Sequence, residues 1–238
     1  MKTEIQSKNG HLHPISTAIR EIYGIFEKMG YDIAFGPELE TEFYNFDALN
    51  IPADHPSRDM QDTFWLKNKF PDGKRRLMRT QTSAVQVRYM EAHKPPLKVI
   101  VPGKVYRNEA TDATHEVQFY QIEALVVDKN ISLAHLKGVL ENFFKLYFGK
   151  DVKYRFRPSY FPFVEPAIEA DIWFNGKWLE VVGAGLVHPT VLKAVSIDDK
   201  EWSGFAFAFG LDRIIMKKYG IDDVRLLYSG DLRFVNQF

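Results

Sequence analysis

The chain has 238 residues, 45% hydrophobic and 26% charged, the balance of a globular protein with a real core. Its 31 Lys and Arg are matched by 31 Asp and Glu, so it lacks the basic excess of a general polyanion binder, and any nucleic-acid contact would need a local patch or another chain. Cysteine is absent, which excludes disulfides, thiol catalysis and thiolate metal sites.

Residues 1–14 are polar and lack the apolar stretch of a secretory signal. No run approaches the ~20 apolar residues that span a membrane, so a cytoplasmic setting without membrane contact is expected. Residues 14–29 have the pattern of an amphipathic helix. Pro14 suits a first turn, Ile15, Ile19, Ile22, Phe26 and Met29 recur at helical spacing, and Gly30 can close the end. Strand-like runs follow at 31–36, 62–66 and 75–80, then a helix over 83–93. Two more strand-like runs cover 97–107 and 117–128. The next helix, 132–148, opens at Ser132 and stops at Gly149. Strand-like runs at 153–157, 169–174, 177–187 and 204–209 lead to a last helix over 210–219, with Arg213 near its start.

Asn175-Gly176 between two apolar runs is a hairpin signal and requires antiparallel strands. Strands that succeed one another without regular helical crossovers predict an α+β fold, a mostly antiparallel β-sheet flanked by α-helices. No repeat or linker divides the chain, which predicts one domain over 1–238.

The sequence contains no G-x-x-x-x-G-K-[ST] loop, no G-x-G-x-x-G after a first strand and no H-E-x-x-H. Gly183-Ala184-Gly185 is too short for a phosphate loop and reads as a tight backbone crossing in a strand. A bound nucleotide would have to be held by side chains. Two arginines stand out for that role. Arg107 ends an apolar run and precedes Glu109, and Arg213 follows the run Gly204-Phe-Ala-Phe-Ala-Phe-Gly210 where strand turns to helix. An ordinary surface ion pair is the bland reading of each. A guanidinium at the end of a strand apolar on both faces instead wants a charged partner, and its planar fork matches phosphate oxygens. His11, His13, His55, His93, His135 and His188 lack metal-ligand spacing. Lys217-Lys218 reads as a solvated helix end, and the aromatic run at 143–148 as a helix packing face.

Three segments resemble the signature motifs of class II aminoacyl-tRNA synthetases. They are Gly36-Pro37-Glu38, then Gly103-Lys-Val-Tyr-Arg107-Asn-Glu109 through Phe119-Tyr-Gln121-Ile-Glu123, and Gly204 to Arg213 ending Gly-Leu-Asp-Arg. Further blocks narrow the resemblance: Tyr44-Asn-Phe-Asp-Ala-Leu-Asn50, His55-Pro-Ser-Arg-Asp-Met-Gln-Asp-Thr-Phe64, Arg79-Thr-Gln-Thr-Ser83, Asp112-Ala-Thr-His115, Arg157-Pro-Ser-Tyr-Phe-Pro-Phe163 and Asp231-Leu-Arg-Phe234. From about His13 to Phe238 the chain is similar to the bacterial-type α subunits of the phenylalanyl-tRNA synthetases. Those subunits open with a helical arm that grips tRNA, whereas this chain begins almost at the catalytic region, which implies the core without the arm.

The resemblance implies phenylalanine activation with ATP and magnesium, and transfer to tRNA(Phe) together with a β subunit. The implied assembly is α2β2, or a homodimer of the isolated core. Arg107 would hold the α-phosphate and the substrate carboxylate. Glu109 and His115 would engage the adenine amine and the distal phosphates. Phe119 and Arg213 would sandwich the adenine, with Arg213 reaching the γ-phosphate. Glu165 would help hold magnesium. Gln81, Ser83, Gln121 and Glu123 would meet the ammonium group of the amino acid. Phe161 and Phe163 would meet its ring, over a floor shaped by Ala184 and Ala206.

The residue types suit that chemistry. The substrate carboxylate is itself the nucleophile, so the protein needs only to align groups and neutralise phosphoryl charge. Phe161 and Phe163, two apart, share one side of a strand and could equally be core. Their position in the motif favours contact with a substrate ring. Ala206 between Phe205 and Phe207 leaves a hole that a ring could fill. Two rivals remain at this stage: a ligase using the adenylate for another acceptor, and a paralogue that senses an amino acid without charging tRNA. Intact Arg107, Glu109, Phe119 and Arg213 speak against the second.

Overall fold

The computed structural model describes residues 12–58, 62–174 and 176–238. Helix α1 spans Pro14–Lys28, with the His13 ring nitrogen accepting from the Ile15 N–H at its start. It buries Ile15, Ala18, Ile22 and Phe26, the stripe that a 3.6-residue period places on one face. Short pieces follow: β1 (Asp32–Ile33), β2 (Leu39–Thr41), α2 (Glu42–Asn45) and β3 (Arg76–Met78), with β2 and β3 paired as a separate antiparallel ribbon. Then come α3 (Ser83–Ala92), β4 (Leu97–Tyr106), β5 (Gln118–Asp128) and α4 (Leu133–Phe148). The second half holds β6 (Tyr154–Phe161), β7 (Val164–Phe174), β8 (Lys177–Val187), α5 (Pro189–Ala194), β9 (Ser203–Gly210), α6 (Leu211–Tyr219) and α7 (Leu232–Val235).

Seven strands form one sheet in the order β1-β4-β5-β9-β8-β7-β6. Every pairing in it is antiparallel except β1 with β4. The predicted α+β architecture is therefore the observed one. Of the hairpin signal, Asn175 lies outside the described residues. The flanking Trp173↔Trp178 and Phe174↔Lys177 pairs are antiparallel as required.

Alternation of side chains divides the sheet into two buried faces. Ile100, Ile122, Ala124 and Val126 join α1, α4 and α6 on one face, while Val99, Val101, Leu125 and Val127 join residues of α3 and α5 on the other. On β9 the same alternation separates large from small. Phe205, Phe207 and Phe209 stack at 6.4 Å spacings within the helix-side core, and Phe143 of α4 packs on Phe209 at 5.1 Å. Each such fully buried ring contributes about 1.5–3 kcal/mol relative to exposure. The intervening Ala206 and Ala208 are left on the opposite face, where the missing side-chain volume opens a cavity.

Several expected boundaries change. Of the run 31–36 only Asp32–Ile33 pairs, and 62–66 contributes only a bridge from Trp65 to Leu77. Strands β6 and β7 continue through Pro158 and Pro166. Strand β6 is the sheet edge, where a missing donor costs nothing, and Pro166 falls inside the register shift between Val164 and Ala167. The 143–148 run packs as expected, with Phe143, Phe144 and Tyr147 buried. Lys217 and Lys218 are more engaged than a solvated end: Lys217 lies 4.5 Å over the Phe174 ring, and Lys218 pairs with Glu21 of α1.

Candidate active site

Above Ala206 and Ala208 lies a cavity of about 600 Å³, open to solvent on one side. It is walled by the loop between β4 and β5, the 80–83 segment, the end of β6 and the start of α6.

Arg107 follows β4 directly. Its main-chain N–H donates to the Val117 carbonyl at 2.9 Å, closing the base of the 107–117 loop. Its guanidinium donates to the Thr80 carbonyl at 3.2 Å, sits 4.0 Å from Glu109 and lies 5.1 Å from the Phe119 ring centroid. Burial lowers its pKa, Glu109 opposes that shift and Arg213 adds to it, so the two cations share one field. Arg213, in the first turn of α6, donates to the Glu180 carbonyl at 3.4 Å, and its other terminal nitrogen is 3.5 Å from His115 Nε2. Within the loop Asp112 accepts from the N–H groups of Thr114 and His115 at 2.6 and 2.9 Å. The Thr114 N–H first, then the His115 ring, hold its carboxyl well below the usual range. With Nδ1 of His115 at 3.0 Å from Asp112, a proton on Nδ1 leaves Nε2 to accept from Arg213.

The opposite end is built around a buried carboxylate. Glu123 is 2% exposed and accepts from Ser83 Oγ at 2.6 and 2.8 Å and from Thr82 Oγ1 at 3.0 Å. Burial pushes its carboxyl up to about 7, against Ser83, Thr82 and Arg79, which favour the charge. Gln121 accepts from the Thr82 N–H at 3.2 Å, and Gln81 donates to the Asn45 carbonyl at 3.1 Å. Phe161 and Phe163 stack at 5.9 Å on the cavity wall. A Cβ at Gly183 would meet Phe161 Cζ at 3.0 Å, so the glycine lets that ring lie on the sheet. One at Gly185 would come within 2.7 Å of Val164 and of the Pro166 carbonyl, the close crossing read from the sequence.

The cavity thus gathers every expected site residue except one. Ala184 lines it, but pairs with Phe207 and belongs with it to the helix-side cluster, so what it presents is main chain. Glu165 stands apart. Val164 is buried at the cavity, and the next side chain along the strand turns away. Its carboxylate is 78% exposed and 3.6 Å from His188 Nε2. No group of three or more His, Cys, Asp or Glu able to hold a metal occurs among the described residues.

Other lining or supporting residues escaped the sequence reading. Glu180 lines the cavity beside Arg213. Asp212 is 4% exposed and accepts from the Tyr228 hydroxyl at 2.8 Å. Burial pushes its carboxyl up to about 7, against Tyr228 and the Tyr120 main-chain N–H, which favour the charge. Arg79 is 2% exposed and donates to the carbonyls of Lys104, Gly36 and Pro37 at 2.7, 3.1 and 3.4 Å, locking the Gly36-Pro37-Glu38 segment to the end of β4. A charged residue four positions before Ser83 was the available signal, since a buried guanidinium must be fully partnered.

Residues 2–238 match the model of the tRNA synthetases class II core domain (F). The chain belongs to this family. Within the class II synthetases it is 52% identical over 229 residues to the phenylalanine–tRNA ligase alpha subunit of Synechocystis sp., covering 96% of this chain and 67% of that protein. The alpha subunit of Alteromonas mediterranea is 52% identical over 232 residues, 97% of this chain and 69% of that one. That of Prochlorococcus marinus is 50% identical over 229 residues, with 96% and 66% covered. The chain therefore spans about two thirds of the length of these class II relatives. Its fold also matches that of pyrrolysyl-tRNA synthetase from Desulfitobacterium hafniense, with a TM-score of 0.71 at 15% identity over 93% of this chain and 75% of that one. Among the described residues no helix is long and apolar enough to cross a membrane.

Proposed function

We propose that this chain is the catalytic domain of a cytoplasmic phenylalanine–tRNA ligase. It activates L-phenylalanine with ATP to phenylalanyl-adenylate and, with a β subunit in an α2β2 assembly, transfers the amino acid to tRNA(Phe). The relatives' name and the residues that line this chain's cavity support this reading. The observation that carries it is that Arg107 and Arg213 face one cavity whose far end holds a buried carboxylate beside two phenylalanine rings.

The nucleotide occupies the arginine end. Phe119 and Arg213 take the two faces of the adenine, an aromatic plane and a delocalised cation. Glu109 takes the adenine amine and His115 the distal phosphates. The amino acid's ammonium group sits against Glu123, Gln121, Ser83 and Gln81, and its ring against Phe161, Phe163 and Ala206. One oxygen of the substrate carboxylate attacks the α-phosphorus. The bond from that phosphorus to the bridging oxygen breaks, and pyrophosphate leaves with the electron pair. Arg107 holds the carboxylate and the α-phosphoryl oxygens, where charge builds in the transition state.

Magnesium usually binds through one or two carboxylates together with substrate phosphates. Glu180 fits that role better than Glu165, because it lines the cavity beside Arg213 whereas Glu165 is 78% exposed outside it. Bound there, magnesium would neutralise charge on the leaving phosphates.

Pyrophosphate exchange run with each amino acid tests the reading. Exchange driven by phenylalanine is expected. Exchange with another amino acid alone, or with none, would remove it.

A further inference from the structure

The nucleotide end of the cavity is braced by a segment with no place in the mechanism above. Residues Val224–Leu227 form a single 3-10 turn, pinned in the core by Val224 and Leu227, each 2% exposed. The Asp223 side chain accepts from the Arg225 N–H at 2.9 Å and fixes the start of the turn. The turn reaches two separate parts of the site. The Val224 N–H donates to the Ala113 carbonyl at 2.9 Å, in the loop that carries His115. Tyr228, just past the turn, donates its hydroxyl to Asp212 at 2.8 Å. Asp212 immediately precedes Arg213, and two residues before Asp212, Gly210 pairs with Gln121 of β5, two residues past Phe119. One buried carboxylate thus sits where the strand bearing Phe119 meets the helix bearing Arg213. Its second oxygen has no hydrogen-bond partner among the described residues, so Tyr228 is its main donor.

We propose that Tyr228 and Val224 are positioning residues for the nucleotide. Through Asp212, Tyr228 sets the gap between Arg213 and Phe119, and Val224 holds the loop that keeps His115 within 3.5 Å of Arg213. This rests on the reading of the cavity as an ATP and amino-acid site. The amino-acid end is held from elsewhere, by the 80–83 segment and by β6, so loss of the brace acts on ATP and spares phenylalanine.

Two variants of the 238-residue chain test it. Tyr228→Phe removes one hydroxyl and keeps the ring. Val224→Pro removes the N–H at the first position of a helical turn, which proline tolerates, and the preceding Asp223 is already extended at φ −135° and ψ 116°. The measurements are KM for ATP and for phenylalanine in pyrophosphate exchange, and ATP affinity by calorimetry. Tyr228→Phe is expected to raise KM and Kd for ATP about tenfold, the scale of one hydrogen bond to a charged group, and Val224→Pro about fivefold, the scale of one between neutral groups, each with KM for phenylalanine within about twofold of the parent. An active parent with unchanged ATP constants in Tyr228→Phe overturns this proposal and leaves the functional reading standing. Equal rises in both KM values also overturn it, since they mark a merely structural role. A parent chain that neither exchanges pyrophosphate nor binds ATP overturns both.

Discussion

A Cβ at Gly103 would stand 2.0 Å from Nη2 of Arg79, so the glycine leaves the space that the buried guanidinium fills. That guanidinium is held by three main-chain carbonyls and cannot swing aside as a free surface side chain would. Gly103→Ala is therefore expected to destabilise the fold by about 1–3 kcal/mol, the usual cost of overpacking, measured by urea denaturation. Arg79→Lys should destabilise comparably, because an ammonium cannot reproduce the planar fork. Wild-type midpoints for both variants would show that the contact is not tight.

Glu123 makes phenylalanine binding depend on pH. Its carboxyl lies near 7 in the free protein, raised by burial above the model-peptide 4.5. An arriving ammonium group favours the carboxylate, so binding releases a proton. KM for phenylalanine should fall about tenfold per pH unit below 7 and level off above it. Asp212 titrates in the same range but belongs to the nucleotide end, so the amino-acid KM isolates Glu123. Glu123→Gln should weaken binding and flatten the profile. The raised pKa also predicts that the group's stability contribution is full below 4.5 and lost as pH rises through 7, because the folded state holds a proton the unfolded chain has released.

The ring slot should respond to single methyl groups in opposite senses. Ala206→Gly enlarges the cavity side of β9 and is expected to admit para-substituted phenylalanines in pyrophosphate exchange. Gly183→Ala puts a methyl 3.0 Å from Phe161 Cζ and pushes that ring into the slot, which should raise KM for phenylalanine roughly tenfold while sparing ATP. An unchanged substrate range in Ala206→Gly would move the slot away from β9.

Local pattern carried the long elements. The α1 stripe, the aromatic face of α4 and the Phe-Ala alternation of β9 are period signals that survive folding intact. Short pieces such as β2 and the 31–36 run depend on partners far along the chain, and no local rule supplies those. Within the site, Arg107, Arg213, Glu123 and the two rings stood in segments that resemble family motifs. Tyr228 and Val224 reach the site through contacts to Asp212 and Ala113, which lie 16 and 111 residues earlier in the sequence (228 less 212, and 224 less 113), and Val224 also lines the cavity. Glu165 was expected to help hold magnesium from the family resemblance alone, in a segment outside the blocks that carry it, and its carboxylate is 78% exposed outside the cavity.

Arg213→Ala tests the nucleotide clamp most directly. Among the described residues its guanidinium makes only long hydrogen bonds, at 3.4 and 3.5 Å, so its loss should leave the thermal unfolding midpoint near that of the parent. Phenylalanine-dependent pyrophosphate exchange should fall to background. Exchange at the parent rate in a folded Arg213→Ala chain would mean that ATP binds elsewhere, and the account would be wrong.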